Sequence, residues 1–248
     1  MIKQEIRVLL SAISFFTTIS FSSNQNFSKE LLHKSARYLT LIGIMVGGLA
    51  ALVFWVTSSI YSKPIGIIFS MIATILITGG FHEDGFADCC DGFGGGFTRY
   101  KILSIMKDPR IGSFGAIGIT LLLGIKFFAL YEMPVEKIPG ILIIGHCISR
   151  FAAISLVWAV PYVTEESTAK SKLVVNHFSG KDLCIAGIIS IIPFIFLGNL
   201  IIFFALIPIC CFTIILGYYF IKKIGGITGD CLGTTQQVTE VIFYLQTL

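Results

Sequence analysis

Charge is what this 248-residue chain has least of: Asp, Glu, Lys and Arg make up 13% of it, against 55% hydrophobic residues. With a mean hydropathy of +0.88, that balance excludes an ordinary soluble domain. No stretch is rich enough in Pro, Ser or charge to act as a linker, so no second soluble domain is expected. The seven cysteines do not form a disulfide set. Cys147, Cys184, Cys210 and Cys211 lie in or beside apolar runs, while Cys89, Cys90 and Cys231 fall on the side expected to be reducing. The net charge of +4 is modest and follows from basic residues flanking apolar runs, so it does not point to nucleic acid.

What the chain does have is apolar length. Crossing a bilayer takes about 20 apolar residues, and the segments 39–61, 64–81, 111–131, 138–160, 183–197 and 200–221 are read as membrane helices. The fifth is short enough to be tilted, re-entrant or extended into its flanks, and the tight Gly198-Asn199 joint makes the last two a hairpin. The expected fold class is therefore all-α, a polytopic membrane helical bundle of about six transmembrane helices plus interfacial helices. One integral-membrane domain covers 1–248. Within it, 1–38 is a cytoplasmic or interfacial arm, 82–110 a cytoplasmic acidic catalytic loop, and 222–248 a cytoplasmic tail contributing to the site. In the arm, Ile6, Leu9, Leu10, Ile13 and Phe16 repeat near helical spacing without a following cleavage site. That pattern predicts a helix in the interface or packed at the cytoplasmic face, not a signal peptide.

Basic residues give the orientation. The arm carries Lys3, Arg7, Lys29, Lys34 and Arg37, and the loop after the second apolar run carries Arg99, Lys101, Lys107 and Arg110. Lys170, Lys172 and Lys181 follow the fourth run, and Lys222 and Lys223 the last, so 14 of 18 basic residues share one side. The other side has Lys63 and Lys137, with Lys126 and Arg150 inside helices. By the positive-inside bias, both termini and the acidic loop face the cytoplasm.

The chemistry is concentrated in residues 79–96, where Glu83, Asp84, Asp88, Asp91 and His82 sit among seven glycines. On a helix Asp84, Asp88 and Asp91 are i, i+4 and i+7, one face. Three carboxylates on one face repel unless a cation lies among them, and hard oxygen ligands select Mg²⁺ or a relative. A solvated loop is the plain alternative, but loops do not ordinarily align like charges at helical spacing. Cys89-Cys90 lack the ligand spacing of a zinc site and read as small-residue packing.

Arg99, Lys107 and Arg110 follow within about twenty residues, Lys107 and Arg110 flanking a turn at Pro109. Any cytoplasmic loop would carry such cations. Beside a carboxylate cluster, they form with it the usual kit for phosphoryl chemistry. A second polar edge, Asp230, Thr234 and Gln237, repeats the i, i+4, i+7 spacing among Gly225, Gly226, Gly229 and Gly233, and the topology puts it on the same face. Arg150, inside a membrane run, is a candidate phosphate contact in the bundle interior, with snorkelling as the alternative. His33, His146 and His177 are assigned no role. Residues 238–248 turn apolar again and are read as a surface or partly inserted helix.

The string Gly80-Phe81-His82-Glu83-Asp84-Gly85-Phe86-Ala87-Asp88, with Asp91-Gly92-Phe93-Gly94-Gly95-Gly96, resembles the signature of the cobalamin (5′-phosphate) synthase family, the adenosylcobinamide-GDP ribazoletransferases. The resemblance continues through Lys107-Asp108-Pro109-Arg110-Ile111-Gly112 and Gly225-Gly226-Ile227-Thr228-Gly229-Asp230-Cys231-Leu232-Gly233. It implies a Mg²⁺-dependent membrane transferase that joins α-ribazole, or its 5′-phosphate, to adenosylcobinamide-GDP with release of GMP. It further implies the inner membrane of a prokaryote, and leaves room for a homo-oligomer or a complex with other corrinoid-assembly enzymes. On that reading Glu83, Asp84, Asp88 and Asp91 hold Mg²⁺, and one of them or His82 is the general base. Arg99, Lys107 and Arg110 hold the diphosphate. Asp230 completes the metal site or orients the ribazole, and Gln237 and Arg150 join the substrate contacts. The competing readings are another Mg²⁺-dependent membrane transferase, of the CDP-alcohol phosphotransferase or UbiA-like prenyltransferase kind, and a cation transporter. The D-x₃-D-x₂-D spacing follows neither transferase pattern, and no internal repeat of the transporter kind is evident.

Overall fold

The computed structural model of the chain describes residues 2–20, 34–163, 178–197 and 204–248. Lys29, Lys170, Lys172, His33, His177 and the Gly198-Asn199 joint lie outside these. Among the described residues the chain forms ten α-helices and no named strand, as an all-α class requires. They are α1 (Ile2–Phe16), α2 (Leu39–Ile60), α3 (Lys63–Thr78), α4 (Phe81–Gly95), α5 (Arg99–Met106), α6 (Ser113–Glu132), α7 (Ile138–Ala159), α8 (Gly180–Leu197), α9 (Leu206–Ile224) and α10 (Gly229–Gln246).

Four helices are long and apolar enough to cross a membrane: α2 with its 3₁₀ lead-in, α6, α7 and α9. The chain is a multi-pass membrane protein. Among the described residues the spans are fewer than the six expected: four, or five if the bent pair α3–α4 counts as one. The reason lies in two glycines. Helix α3 has 16 residues, about 24 Å at 1.5 Å per residue, short of a hydrocarbon core of about 30 Å. It stops at Gly79 and Gly80, both left-handed at φ +66° and +68°, and α4 leaves at 89° to it. Helix α8, with Lys181 and Asp182 near its start and Pro193 inside it, runs to the edge of the described residues and is not among the four. On α6, Phe114, Ile117, Leu121, Ile125 and Phe128 form an exposed apolar stripe, the face expected to meet lipid, while Leu122, Lys126 and Ala129 turn inward.

The bundle is built around α7, which packs against α2, α8 and α10. Gly43 and Gly47 let α2 cross α7 at backbone contact: a Cβ on Gly43 would sit 2.4 Å from the His146 carbonyl oxygen. Helix α1 buries Val8, Ala12, Ile13 and Phe16, as a packed amphipathic helix should. Arg37, just before α2, pairs with Glu5 of α1 at 3.0 Å and Asp182 of α8 at 3.4 Å.

Two expectations need correction here. Residues 82–110 are not a loop but mostly the helices α4 and α5. Residues 222–248, expected as a tail with 238–248 a surface or partly inserted helix, are mostly helix α10, set deeper than a surface helix. Helix α10 lies inside the bundle against α4, α6, α7 and α9, burying Thr235, Gln236, Gln237, Thr239, Glu240, Phe243 and Tyr244. Its polar side chains are tolerated there because most find partners on neighbouring helices.

Candidate active site

The site forms where α4 crosses α10. The glycine turn delivers α4, and the Asp84 amide donates to the Gly80 carbonyl oxygen at 2.8 Å as the first helical bond. Two glycines let the helices touch. A Cβ on Gly85 would lie 2.9 Å from the Asp230 Cα, and one on Gly233 would lie 3.0 Å from the His82 carbonyl oxygen. The Thr234 hydroxyl donates to the Gly85 carbonyl oxygen at 3.3 Å. The lead-in to α10 is pinned as well: the Ile227 amide donates to the Pro161 carbonyl oxygen at 2.9 Å, and the Val163 amide donates to that of Ile227 at 2.8 Å. Thr228 then caps α10, its hydroxyl accepting from the Cys231 amide. The result seats Asp230 in the first turn of α10, over the α4 carboxylates.

Asp84, Asp88 and Asp230 act on one another electrostatically. Burial, followed by the charges of Asp230, Asp84 and Asp91, pushes the Asp88 carboxyl up to about 7. Burial and then Asp84 raise Asp230 to about 6, against a hydrogen bond from the Thr228 hydroxyl that lowers it. A cation would relieve this repulsion, and every donor is a hard oxygen. Among the described residues no three His, Cys, Asp or Glu side chains stand close enough to hold a metal ion by themselves. That matches how Mg²⁺ is commonly bound, through one or two carboxylates with substrate phosphates supplying further oxygens. The residues present fit a shared protein–substrate ion better than a closed protein cage.

Asp91 is engaged differently. Its two oxygens accept from the Gly112 amide at 2.7 Å and the Gly115 amide at 2.8 Å, at the start of α6. It anchors a helix N-terminus, where backbone donors and the helix dipole favour an anion. A Cβ on Gly112 or Gly115 would lie within 2.4 Å of an Asp91 oxygen, which accounts for both glycines.

His82 and Glu83 turn toward the bundle interior. His82 is buried among Phe15, Phe16, Leu39, Phe81, Ile154 and Val157 in an apolar pocket. Burial and then the Arg150 charge hold its ring well below the usual histidine range. The Oε1 atom of Glu83 accepts from Gln237 Nε2 at 2.8 Å, while its Oε2 is buried without a hydrogen-bond partner. Gln237 Oε1 in turn accepts from Lys126 Nζ at 2.8 Å.

Behind Gln237 lies a polar core that the sequence reading did not assemble. Glu240, 0% exposed, takes four contacts: Lys126 Nζ at 2.8 Å and the Tyr244 hydroxyl at 3.1 Å on Oε1, Gln236 Nε2 at 2.5 Å and His146 Nδ1 at 3.0 Å on Oε2. With His146 Nδ1 donating to Glu240, Arg150 Nη1 donates instead to the His146 carbonyl oxygen at 3.0 Å. Arg150 is 2% exposed and turned into this core, where the α4 carboxylate whose charge acts on it is Glu83. The signal that was available is Lys126: an ionisable residue inside an apolar span implies a buried partner.

The three cations are exposed, and none of them bonds to the acidic cluster among the described contacts. The Arg99 guanidinium lies beside Gly225, where a Cβ would be 3.5 Å from Nη1, at the joint leading to Asp230. Lys107 is exposed, and Arg110 forms an exposed pair with Asp108 at 2.6 Å. Both lie in the turn that Asp91 ties to α4 through Gly112.

The chain is similar to known proteins along nearly its whole length. The model of a family described as cobalamin-5-phosphate synthase matches residues 8–248. A protein of Shewanella frigidimarina named adenosylcobinamide-GDP ribazoletransferase is 39% identical over 246 residues, covering 98% of this chain and 94% of that protein. Proteins of the same name from Shewanella piezotolerans and Ralstonia pickettii are 40% and 39% identical, covering 98% and 97% of this chain and 95% and 94% of their own lengths. No solved structure matches the chain.

Proposed function

Since the chain belongs to the cobalamin-5-phosphate synthase family, we propose that it joins α-ribazole, or its 5′-phosphate, to adenosylcobinamide-GDP with release of GMP. It is a membrane transferase of cobalamin synthesis. The observation that carries the reading is the mutually repelling group Asp84, Asp88 and Asp230 at the α4–α10 crossing. The family match displaces the alternatives of a different diphosphate-using transferase or a cation transporter.

In this reaction the ribose hydroxyl oxygen of α-ribazole forms a bond to the cobinamide-linked phosphorus. The bond from that phosphorus to the oxygen bridging to GMP breaks, and the hydroxyl proton passes to an acceptor at the site. One or two of Asp84, Asp88 and Asp230 would hold Mg²⁺ together with diphosphate oxygens. Magnesium held there would neutralise charge on the diphosphate and on departing GMP. Arg99, Lys107 and Arg110 would bind phosphate oxygens. Asp91 keeps α6 seated against α4, and so carries Lys107 and Arg110 to the same edge. The basic residues near the site, with Lys222 and Lys223 at the end of α9, support an inner membrane placement with the termini and site facing the cytoplasm.

The test is turnover by the protein in liposomes supplied with adenosylcobinamide-GDP, α-ribazole and Mg²⁺. GMP and a completed corrinoid are expected together, and neither should form when α-ribazole is omitted or Mg²⁺ is chelated. Folded protein that yields no product defeats the reading.

A further inference from the structure

Among the described residues the bundle interior holds more positive than negative charge unless Glu83 is counted with it. Lys126 and Arg150 are buried in it, on the membrane spans α6 and α7. Glu240 answers one of them. Its Oε1 lies 2.8 Å from Lys126 Nζ, and its other contacts come from the Tyr244 hydroxyl, Gln236 Nε2 and His146 Nδ1. A neutral His146, with its one ring proton on that Nδ1, adds no charge. Arg150 Nη1 donates to an uncharged group, the His146 carbonyl oxygen at 3.0 Å, and its Nε is buried without a hydrogen-bond partner. Cys147 and Tyr244, which also act on Arg150, are uncharged at neutral pH. An uncompensated charge inside a membrane bundle is costly, so this core calls for a second anion.

Glu83 supplies it. It is the α4 carboxylate whose charge acts on Arg150, and it is not among the charges that raise Asp88 or Asp230. Its Oε1 accepts from Gln237 Nε2 at 2.8 Å, on the core side of α4. Its Oε2 is buried without a hydrogen-bond partner, as are Arg150 Nε and Gln236 Oε1. With Glu83 included, Lys126 and Arg150 are matched by Glu240 and Glu83, and the core is neutral. The placement has a consequence along α4. Successive residues on a helix are about 100° apart. With Glu83 held inward, its neighbour Asp84 is turned out and exposed, and Asp88, one turn further on, is half-buried.

We infer that Glu83 is a positioning residue for the transferase reaction and not a metal ligand: it is the counter-charge of Arg150 in the bundle core, and by holding its face of α4 inward it turns Asp84 and Asp88 out to meet Asp230. Gln237, on α10, fixes the carboxylate from a third helix. The charge pairing stands on the core alone, whereas its effect on the reaction rests on the transferase reading above.

The test compares Glu83→Gln, Arg150→Met and the charge-balanced double variant in liposomes. It reads the thermal midpoint, kcat and the Mg²⁺ concentration that half-activates turnover. Glu83→Gln keeps an acceptor for Gln237 and removes only the charge. Each single variant should lower the midpoint by about 5 °C or more. Each should also lower kcat by about tenfold or more, as misplacing reacting groups does. The double variant should have a midpoint above both singles and a kcat within about threefold of wild type, because the two losses share one cause. Its Mg²⁺ requirement should stay within about twofold of wild type, whereas losing a metal ligand raises it on the order of tenfold. Removing an arginine from the core cannot restore a lost metal ligand or proton acceptor. A double variant no more stable or no more active than Glu83→Gln would therefore overturn the inference. So would wild-type kcat in Glu83→Gln, or a double variant whose Mg²⁺ requirement rises on the order of tenfold. The midpoints report the pairing without turnover, so folded wild-type protein that yields no product defeats the transferase reading and leaves the pairing to be decided by stability.

Discussion

Replacing Asp91 separates two roles that its position in the chain makes equally plausible, metal ligand and helix anchor. Its carboxylate accepts two backbone amides at 2.7 and 2.8 Å and is 9% exposed. Hydrogen bonds to a charged group contribute roughly 1.5–3 kcal/mol each, so Asp91→Ala should cost about 3–6 kcal/mol. Asp91→Asn keeps one acceptor but turns its NH₂ against the other backbone N–H, and about half that loss is expected. Repacking offers little compensation, because Gly112 and Gly115 are shaped around the carboxylate. The assay is denaturant unfolding in detergent, paired with the Mg²⁺ concentration that half-activates turnover. The anchor role predicts a less stable Asp91→Asn protein whose Mg²⁺ requirement moves by less than about twofold. An Asp91→Asn protein as stable as wild type that needs on the order of tenfold more Mg²⁺ would refute the reasoning, since loss at a metal site weakens binding by at least that much.

Glu240→Ala and Glu240→Gln both leave Lys126 buried without its counter-charge, and each should cost roughly 3–5 kcal/mol in the same unfolding assay. A Glu240→Gln protein as stable as wild type would show that the charge is not the issue. In Gly85→Ala the added Cβ meets the Asp230 backbone at 2.9 Å, which cannot rotate away. The α4–α10 crossing should open, at about 1–3 kcal/mol of stability and with most of the activity lost. A fully active variant would mean that close approach is not needed. Arg110→Ala breaks only an exposed pair and should leave the melting temperature unchanged while raising KM for adenosylcobinamide-GDP alone. An unchanged KM removes Arg110 from the phosphate contacts.

Much of the site was legible because helical spacing survives folding. Asp230, Thr234 and Gln237 do line one edge, with Thr234 bonded to Gly85 and Gln237 to Glu83. The α4 face was less so. Asp84, Asp88 and Asp91 share a helix face, but Gly112 and Gly115 bring two donors to Asp91, and no spacing on α4 reports what α6 will offer. The span count failed at Gly79-Gly80. An apolar run there reads as continuing through Phe81, whereas two left-handed glycines turn the chain by 89°. Helix α10 was set too shallow for a related reason: its composition is polar, and partners distant in sequence, among them Lys126, His146, Ser149, Glu83 and Gly85, make its burial tolerable. Lys126 was visible as a charge inside a span, but its partner was not.

The central claim is that Asp84, Asp88 and Asp230 at the α4–α10 crossing form the reacting centre of a ribazole transferase. The most direct test is the ratio of GMP released to corrinoid completed, measured for wild type and Asp88→Asn at matched folded protein in liposomes. A one-to-one ratio in wild type and no turnover of either product in Asp88→Asn is the predicted result. Asp88→Asn protein that completes the corrinoid at the wild-type rate would contradict it.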